Sequence, residues 1–347
     1  MTGVDWRLSV RGDARRAGTP PTRTAFRDLL DAVDAAELAG VDGVLVPRDP
    51  AGDESWVVAG AALRATRHLR VTAEFDPTFG SPVYAAKVSA TLQRLSRGRF
   101  GWRLQAEPDA DEARTRGDVL ASAERYRRAA EFLEVARGVW NSDPVGGNGF
   151  EGTGFEYDGD HFHVAGGGFR GILSGLPFPR VEIAGDDGAA LALSARLGDV
   201  HVFTERRDAP LEDRLIALRS AAAATGRTVG VALEVPVIAR ETDDEAWHRA
   251  DRLTRQAGAE PDAADRLDAV RWAGFRAAGF GDEIGLVGSY STVAHRLREY
   301  AEAGVDTVIL TGRPHIEEIH RVGEHLLHLT DPSARLLRAP RPEEANA

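Results

Sequence analysis

Two histidines, His161 and His163, stand two residues apart in the stretch Tyr157-Asp158-Gly159-Asp160-His161-Phe162-His163-Val164. Alternate residues of a strand share a face, so the pair suggests a metal site. A structural or catalytic metal needs at least a third ligand; none is evident, and no metal is expected. His315 follows the last strand-like run, where a general acid or base can work. The alternative is a helix-start residue bonded to backbone, and the sequence leaves both open. Arg11 and Arg313 also fall at the ends of strand-like runs. Guanidinium groups there either hold an anionic ligand through bidentate contacts or pair with Glu234 or Asp76 in a salt-bridge network that fills the pocket; the network is the reading favoured. Glu74 and Glu107 add acid at the same end. Arg125-Tyr126-Arg127-Arg128 reads most simply as a solvated helix face.

Composition removes several chemistries. The 347 residues contain no Cys, which excludes disulfides, thiolate metal sites, iron–sulfur clusters and cysteine nucleophiles. A net charge of −11 argues against sequence-independent binding to nucleic acid, which needs a basic footprint. No apolar stretch reaches signal-peptide or membrane length, so a soluble cytoplasmic protein without a membrane partner is expected. With 43% hydrophobic and 28% charged residues, one large α/β domain fits better than two full-size ones.

The elements that must carry these residues alternate. Strand-like runs lie at 6–10, 41–46, 69–72, 100–104, 181–183, 200–203, 229–238 and 305–310, and amphipathic Ala/Leu/Arg-rich helices such as 24–39 and 122–140 separate most of them. Ala39-Gly40-Val41-Asp42-Gly43-Val44 is echoed by Ala303-Gly304-Val305-Asp306-Thr307-Val308 and more loosely by Leu197-Gly198-Asp199-Val200-His201-Val202. In each, glycine can supply a left-handed helix stop before a buried strand. Eight strands in parallel βα units favour a closed (β/α)8 TIM barrel with insertions over an open sheet. No G-x-G-x-x-G follows a strand, so the dinucleotide-binding alternative lacks its best support. A single barrel domain is expected over 1–331. Within it, 141–175 would form a hairpin insertion around the Asp-Gly turn, and 259–285 a long lid loop. A mobile tail would occupy 332–347.

The order of these elements resembles the bacterial luciferase-like flavin monooxygenases, and among them the alkanesulfonate monooxygenase branch. The likeness rests on Gly43-Val44-Leu45-Val46-Pro47 with Trp56, Ser81-Pro82 with Ala85-Ala86, and Thr91-Leu92-Gln93-Arg94-Leu95-Ser96-Arg97-Gly98-Arg99. It continues through Ala123-Glu124-Arg125-Tyr126 with Glu131-Phe132, the hairpin quoted above, Arg240-Glu241-Thr242-Asp243-Asp244-Glu245-Ala246-Trp247 and Gly312-Arg313-Pro314-His315-Ile316-Glu317-Glu318. The resemblance implies a barrel with a mobile loop, a dimer or tetramer, reduced FMN and oxygen as cosubstrates, and a separate flavin reductase.

At the strand C-termini, where barrel chemistry sits, the sequence departs from that pattern. The branch's first-strand histidine falls on Arg11 and its cysteine on Gly52. The residues lining its flavin fall on Arg103 and Ala106. Its seventh-strand arginine and histidine fall on Glu234 and Pro236, the tyrosine before Pro-His on Arg313, and the lid arginine near Gly279, with Arg276 as a substitute. The resemblance also places the flavin phosphate at a helix start, which here reads Ala184-Gly185-Asp186-Asp187-Gly188. Aspartates there cap the helix themselves. At ~5 Å and an effective dielectric of ~20, each repels a unit of phosphate charge by about 3 kcal/mol; the helix end returns about 0.3–1 kcal/mol. Remaining phosphate contacts would be Ser122 and Tyr126, with Arg103 or Arg125 as the nearest cations and Asp76 and Gly185 along the same rim.

Three functions follow. The first is a reduced-flavin-dependent monooxygenase acting on a small organic substrate other than a typical alkanesulfonate. The second is a flavin-free relative serving as a binding protein or as a partner subunit to a catalytic paralogue. The third is a deazaflavin (F420)-dependent oxidoreductase, whose cofactor also brings phosphates.

Overall fold

Alternation along each strand decides which side chains face the helices and which face the axis. In the computed structural model, which describes residues 3–8, 25–50, 52–78, 80–107, 109–142, 154–168, 176–280 and 284–330, the chain runs in order through the following elements. The first half holds β1 (Gly3–Arg7), α1 (Ala25–Ala39), β2 (Gly43–Val46), α2 (Ser55–Ala65), β3 (Arg70–Phe75), α3 (Pro82–Ser96), β4 (Phe100–Leu104), α4 (Ala110–Thr115) and α5 (Ser122–Asn141). A hairpin of β5 (Phe155–Asp158) and β6 (His163–Gly167) follows, then β7 (Arg180–Ala184), α6 (Gly188–Leu197), β8 (Val200–Thr204), α7 (Leu211–Ala224), β9 (Gly230–Arg240) and α8 (Asp243–Gln256). The last part holds β10 (Arg271–Trp272), β11 (Gly285–Ser289), α9 (Tyr290–Ala303), β12 (Thr307–Thr311), α10 (His315–Arg321) and α11 (Leu327–Thr330). Arg11 and the expected tail lie outside the described residues, as do parts of the 141–175 stretch.

Strands β9, β12, β1, β2, β3, β4, β7 and β8 are parallel neighbours in that order, and β8 pairs with β9 to close the ring. This is the (β/α)8 barrel expected. Each strand sends its bulky apolar residues outward: Trp6, Val44, Val71, Phe75, Trp102, Leu104, Val181 and Ile183 join the large cluster under the helices. Edge-to-face contacts of Trp56 with Phe75 at 5.1 Å and of Phe75 with Trp102 at 5.1 Å lock α2 to β3 and β4. The inward apolar core is small, made of Leu45, Val200, Val202, Ala232 and Ile309. Several other inward positions are charged, among them Arg103, Glu182 and Glu234.

Two local expectations change. The first strand is Gly3–Arg7 rather than 6–10, because the pairing of Val4 with Val308 and of Trp6 with Val44 sets the register earlier. Gly40 and Gly304 do stop their helices at φ 79° and 108°. Gly198, however, is extended at φ −79°, and a Cβ there would lie 3.0 Å from Ser194 Cα and from its carbonyl oxygen. That glycine serves close packing, not a left-handed stop. In the segment expected as a lid, residues 281–283 lie outside the described residues and most of 259–280 is turn and bend; β10 runs antiparallel to β11, which pairs in parallel with the second half of β9. Trp272, Phe275 and Ala278 are buried there against Ile238, Ala246 and Val287. The hairpin is present and docks on α5, with Glu131 accepting the backbone N–H groups of Asp160, His161 and Phe162.

Candidate active site at the barrel axis and mouth

The barrel interior is ionic. Arg103, on β4 and only 2% exposed, donates from Nε and Nη2 to Glu182 Oε2 on neighbouring β7, at 3.1 and 2.8 Å. Its Nη1 crosses the interior to Glu234 Oε2 on β9, at 2.6 Å. The other oxygen of Glu234 takes Arg7 Nη1 of β1 at 2.8 Å. Burial opposes a charge on Arg103, yet Glu182, Glu234 and Glu74 hold its proton more firmly than usual. Burial likewise pushes the Glu234 carboxyl up, but Arg7 and Arg103 outweigh it and keep the group below the ordinary glutamate range. The four side chains thus form one continuous chain of ion pairs across the interior. Arg103 was expected as a flavin-lining or phosphate-facing cation; its guanidinium already spans two carboxylates. Glu234 stands within a network of the kind expected for the pocket, with Arg7 and Arg103 as partners; Arg11 lies outside the described residues.

Above this layer the strand ends carry a second ionic cluster. Asp76, after β3, accepts the Thr78 backbone N–H at 2.9 Å and lies 2.7 Å from Arg116. Burial raises its carboxyl, but the Thr78 bonds and Arg116 win and leave it below the usual range. Arg48, after β2, donates to Gln105 at 3.0 Å and to Glu112 at 2.8 Å. Short α4, capped by Asp109, carries Glu112 into this cluster. Arg125 is held by Glu107 at 2.7 Å. The ends of strands two to four are therefore cross-linked by paired charges.

The fifth barrel strand, β7, delivers the helix start. Gly185 has φ 145°, and a Cβ on it would fall 2.7 Å from the Ala190 side chain, so the turn needs glycine. Asp187 is the N-cap of α6 and accepts the Ala190 N–H at 2.7 Å. Its other oxygen accepts the Tyr126 hydroxyl at 2.8 Å. Burial and the Asp187 charge both push the Tyr126 phenol above its ordinary range. Asp186 is bonded to Arg214 and lies 3.6 Å from Arg206. Arg214 also donates to the Thr204 carbonyl at 2.9 and 3.0 Å and stacks over Phe203 at 4.6 Å. Of the two aspartates, Asp186 has cationic partners, so the like-charge repulsion expected from both falls chiefly on Asp187. Ser122 opens α5 as an exposed residue, and Tyr126 is bonded to Asp187.

His315 begins α10 and is buried against the outer face of β1, where its Nδ1 accepts the Trp6 indole N–H at 3.1 Å. Burial, helped by Arg313 and Arg7, lowers it to about 3. A ring that takes up a proton only near that pH does not serve as a neutral-pH base. Arg313 donates to the Gly279 carbonyl at 2.8 Å and lies over the Phe280 ring; it ties β12 to the packed 259–280 segment, on whose exposed surface Arg276 sits. Sequence reasoning missed Arg7, Glu182, Arg48, Glu112 and Arg214. The available signal was charge inside apolar strands, as in Val181-Glu182-Ile183 and Trp102-Arg103-Leu104.

The closed parallel barrel with a polar mouth defines a (β/α)8 enzyme-type scaffold. The chain belongs to the luciferase-like monooxygenase family, whose model matches residues 7–307. Among solved structures, EDTA monooxygenase from Chelativorans sp. BNC1 is 20% identical, covers 95% of this chain and 93% of its own, and has a TM-score of 0.73. DmoA from Hyphomicrobium sulfonivorans is 18% identical, covers 99% and 90%, and has a TM-score of 0.75. An F420-dependent secondary alcohol dehydrogenase in complex with an F420-acetone adduct is 18% identical, covers 95% and 99%, and has a TM-score of 0.71. At these identities the likeness is one of fold. No helix among the described residues is long and apolar enough to cross a membrane. The FMN phosphate implied by the resemblance does not fit α6: Asp187 already caps the helix and brings a negative charge to it.

Proposed function

We propose that this chain is a reduced-flavin-dependent monooxygenase that takes flavin from a separate reductase and uses oxygen on a small organic substrate. The observation that carries this reading is the family match over residues 7–307. The mouth above Glu234 and Arg7, ringed by Glu74, Asp76, Glu112 and their arginine partners, would receive the substrate. Cations there are already paired with carboxylates, so a free sulfonate finds no ready partner. The phosphate of FMN has no suitable seat at α6, where Asp187 already caps the helix. Assembly as a homodimer or homotetramer and a cytoplasmic location belong to the same reading.

One observation favours a second reading. Asp187 at the α6 start would suit a chain that keeps the barrel but leaves flavin to a catalytic paralogue in a heteromer. A deazaflavin-dependent reading meets the same carboxylate. Anaerobic titration with reduced FMN and reduced riboflavin separates them. Binding of either flavin with Kd below about 10 μM removes the flavin-free reading, and no binding of either at about 1 mM removes the flavin-dependent one.

A further inference from the structure

We infer that Asp187 is a specificity-determining residue that excludes phosphorylated flavin, so that the flavin admitted to this mouth is the unphosphorylated one. The inference rests on the flavin-dependent reading above and deepens it. A phosphate-binding helix start offers free N–H groups and a positive dipole end. Here the Gly185 turn is retained, but the Asp187 carboxylate lies in the cradle as a built-in anion, bridging the Ala190 N–H at 2.7 Å and the Tyr126 hydroxyl at 2.8 Å. Tyr126 is 8% exposed and holds the carboxylate in place. A phosphate dianion must either displace that carboxylate from both donors or sit beside it. A ribityl chain ending in a hydroxyl has neither difficulty, since a hydroxyl donates to a carboxylate.

Arg206 and Arg214 are the other groups a phosphate could seek. Asp186 already lies between them, 3.6 Å from Arg206 and bonded to Arg214, which the Thr204 carbonyl also holds. Both arginines are thus matched by an internal anion, and their charge does not offset Asp187.

The test is a titration of the full chain with riboflavin and with FMN, followed by flavin fluorescence. It is run on wild type, Asp187→Asn, Asp187→Ser and Asp186→Asn, each checked for an unchanged melting profile. Asparagine caps helices as well as aspartate does, so Asp187→Asn removes charge and keeps the fold. Wild type is expected to bind riboflavin at least about tenfold tighter than FMN. Asp187→Asn should raise FMN affinity by about tenfold and move riboflavin less than about threefold, the size left to a half-screened unit charge. FMN binding to wild type should also strengthen as salt rises. The inference is overturned if wild type binds FMN as tightly as riboflavin, if Asp187→Asn and Asp187→Ser leave FMN unchanged, or if the gain appears only in Asp186→Asn. In those cases flavin binding itself still stands. If wild type binds neither flavin, here or reduced in the anaerobic titration, the functional reading fails and takes the inference with it.

Discussion

Replacing Arg103 by Met keeps most of the side-chain volume and deletes the cation that joins Glu182 to Glu234. Three hydrogen bonds between 2.6 and 3.1 Å vanish from a position 2% exposed. Removing one partner of a buried ion pair costs about 3–5 kcal/mol, because the other charge stays buried without compensation. Arg7 still faces Glu234 at 2.8 Å, so the lower half of that range is expected at pH 7. Against a typical total of about 5–15 kcal/mol, the loss is readily seen in urea denaturation followed by tryptophan fluorescence. The pH dependence gives the sharper test. In the wild type the folded-state Glu234 lies below its unfolded value. Its stabilisation is therefore present above the unfolded value and is lost as pH falls through the folded one. In Arg103→Met, burial has one cation fewer to oppose it, so Glu234 moves up. The folded variant then holds its proton at a pH where the unfolded chain releases it, and acidification relieves the defect. The two stability curves should converge between pH 8 and about 5, and Arg103→Met/Glu234→Gln should recover part of the loss at pH 8. A deficit under about 1 kcal/mol, or one constant across that interval, would refute the buried network as a coupled charge system.

His315, lowered to about 3 with Nδ1 accepting from Trp6, should show no titration by nitrogen NMR between pH 5 and 8 and should remain protonated at Nε2. Its folded value lies below the unfolded one, so stability is lost as pH falls below about 6.5. His315→Phe should flatten that acid-side slope, and a midpoint near 6.5 in the folded protein would show that the burial argument is wrong. Phe275 is fully buried in the 259–280 unit, and Phe275→Ala should cost about 3–5 kcal/mol and open residues 259–280 to limited proteolysis. Rapid cleavage there in the wild type would restore the loop expected from sequence.

The frame was legible because outward positions alone determine it. Trp102 and Leu104 on β4, Val181 and Ile183 on β7, and the glycine stops at Gly40 and Gly304 mark strands and junctions whatever faces the axis. The packing around Phe275 was not legible, because Gly274, Gly279 and a two-residue strand resemble loop chemistry and only the fold sets Trp272 and Phe275 against Ile238 and Val287. The site was harder still. Arg103 and Glu234 are 131 residues apart in sequence, and nothing local indicates that β4 and β9 face one another across the axis. Sequence showed unusual charges at the strand ends; only the register decides which neutralise each other. It made Asp186 and Asp187 look equivalent, although Arg214 and Arg206 neutralise the first and a phenol and an amide hold the second.

The ionic axis and the capped helix start follow one physical rule. A buried ion pair is seldom more stabilising than apolar residues of the same volume, so Arg7, Glu234, Arg103 and Glu182 are not accounted for by barrel stability. What they and Asp187 share is that several anion-attracting features among the described residues are answered by a carboxylate of the chain itself: Arg103 by Glu182 and Glu234, Arg116 by Asp76, Arg214 by Asp186, and the α6 dipole by Asp187. A mouth neutralised site by site gives a small anion no net pull. It also needs no rearrangement to admit an uncharged molecule, because none of these pairs must be broken to make room for charge. The selectivity against phosphate proposed for Asp187 is therefore the local form of a property that the described strand ends share. Single-residue removal of these carboxylates should restore anion binding at each place in turn, beginning at the most exposed.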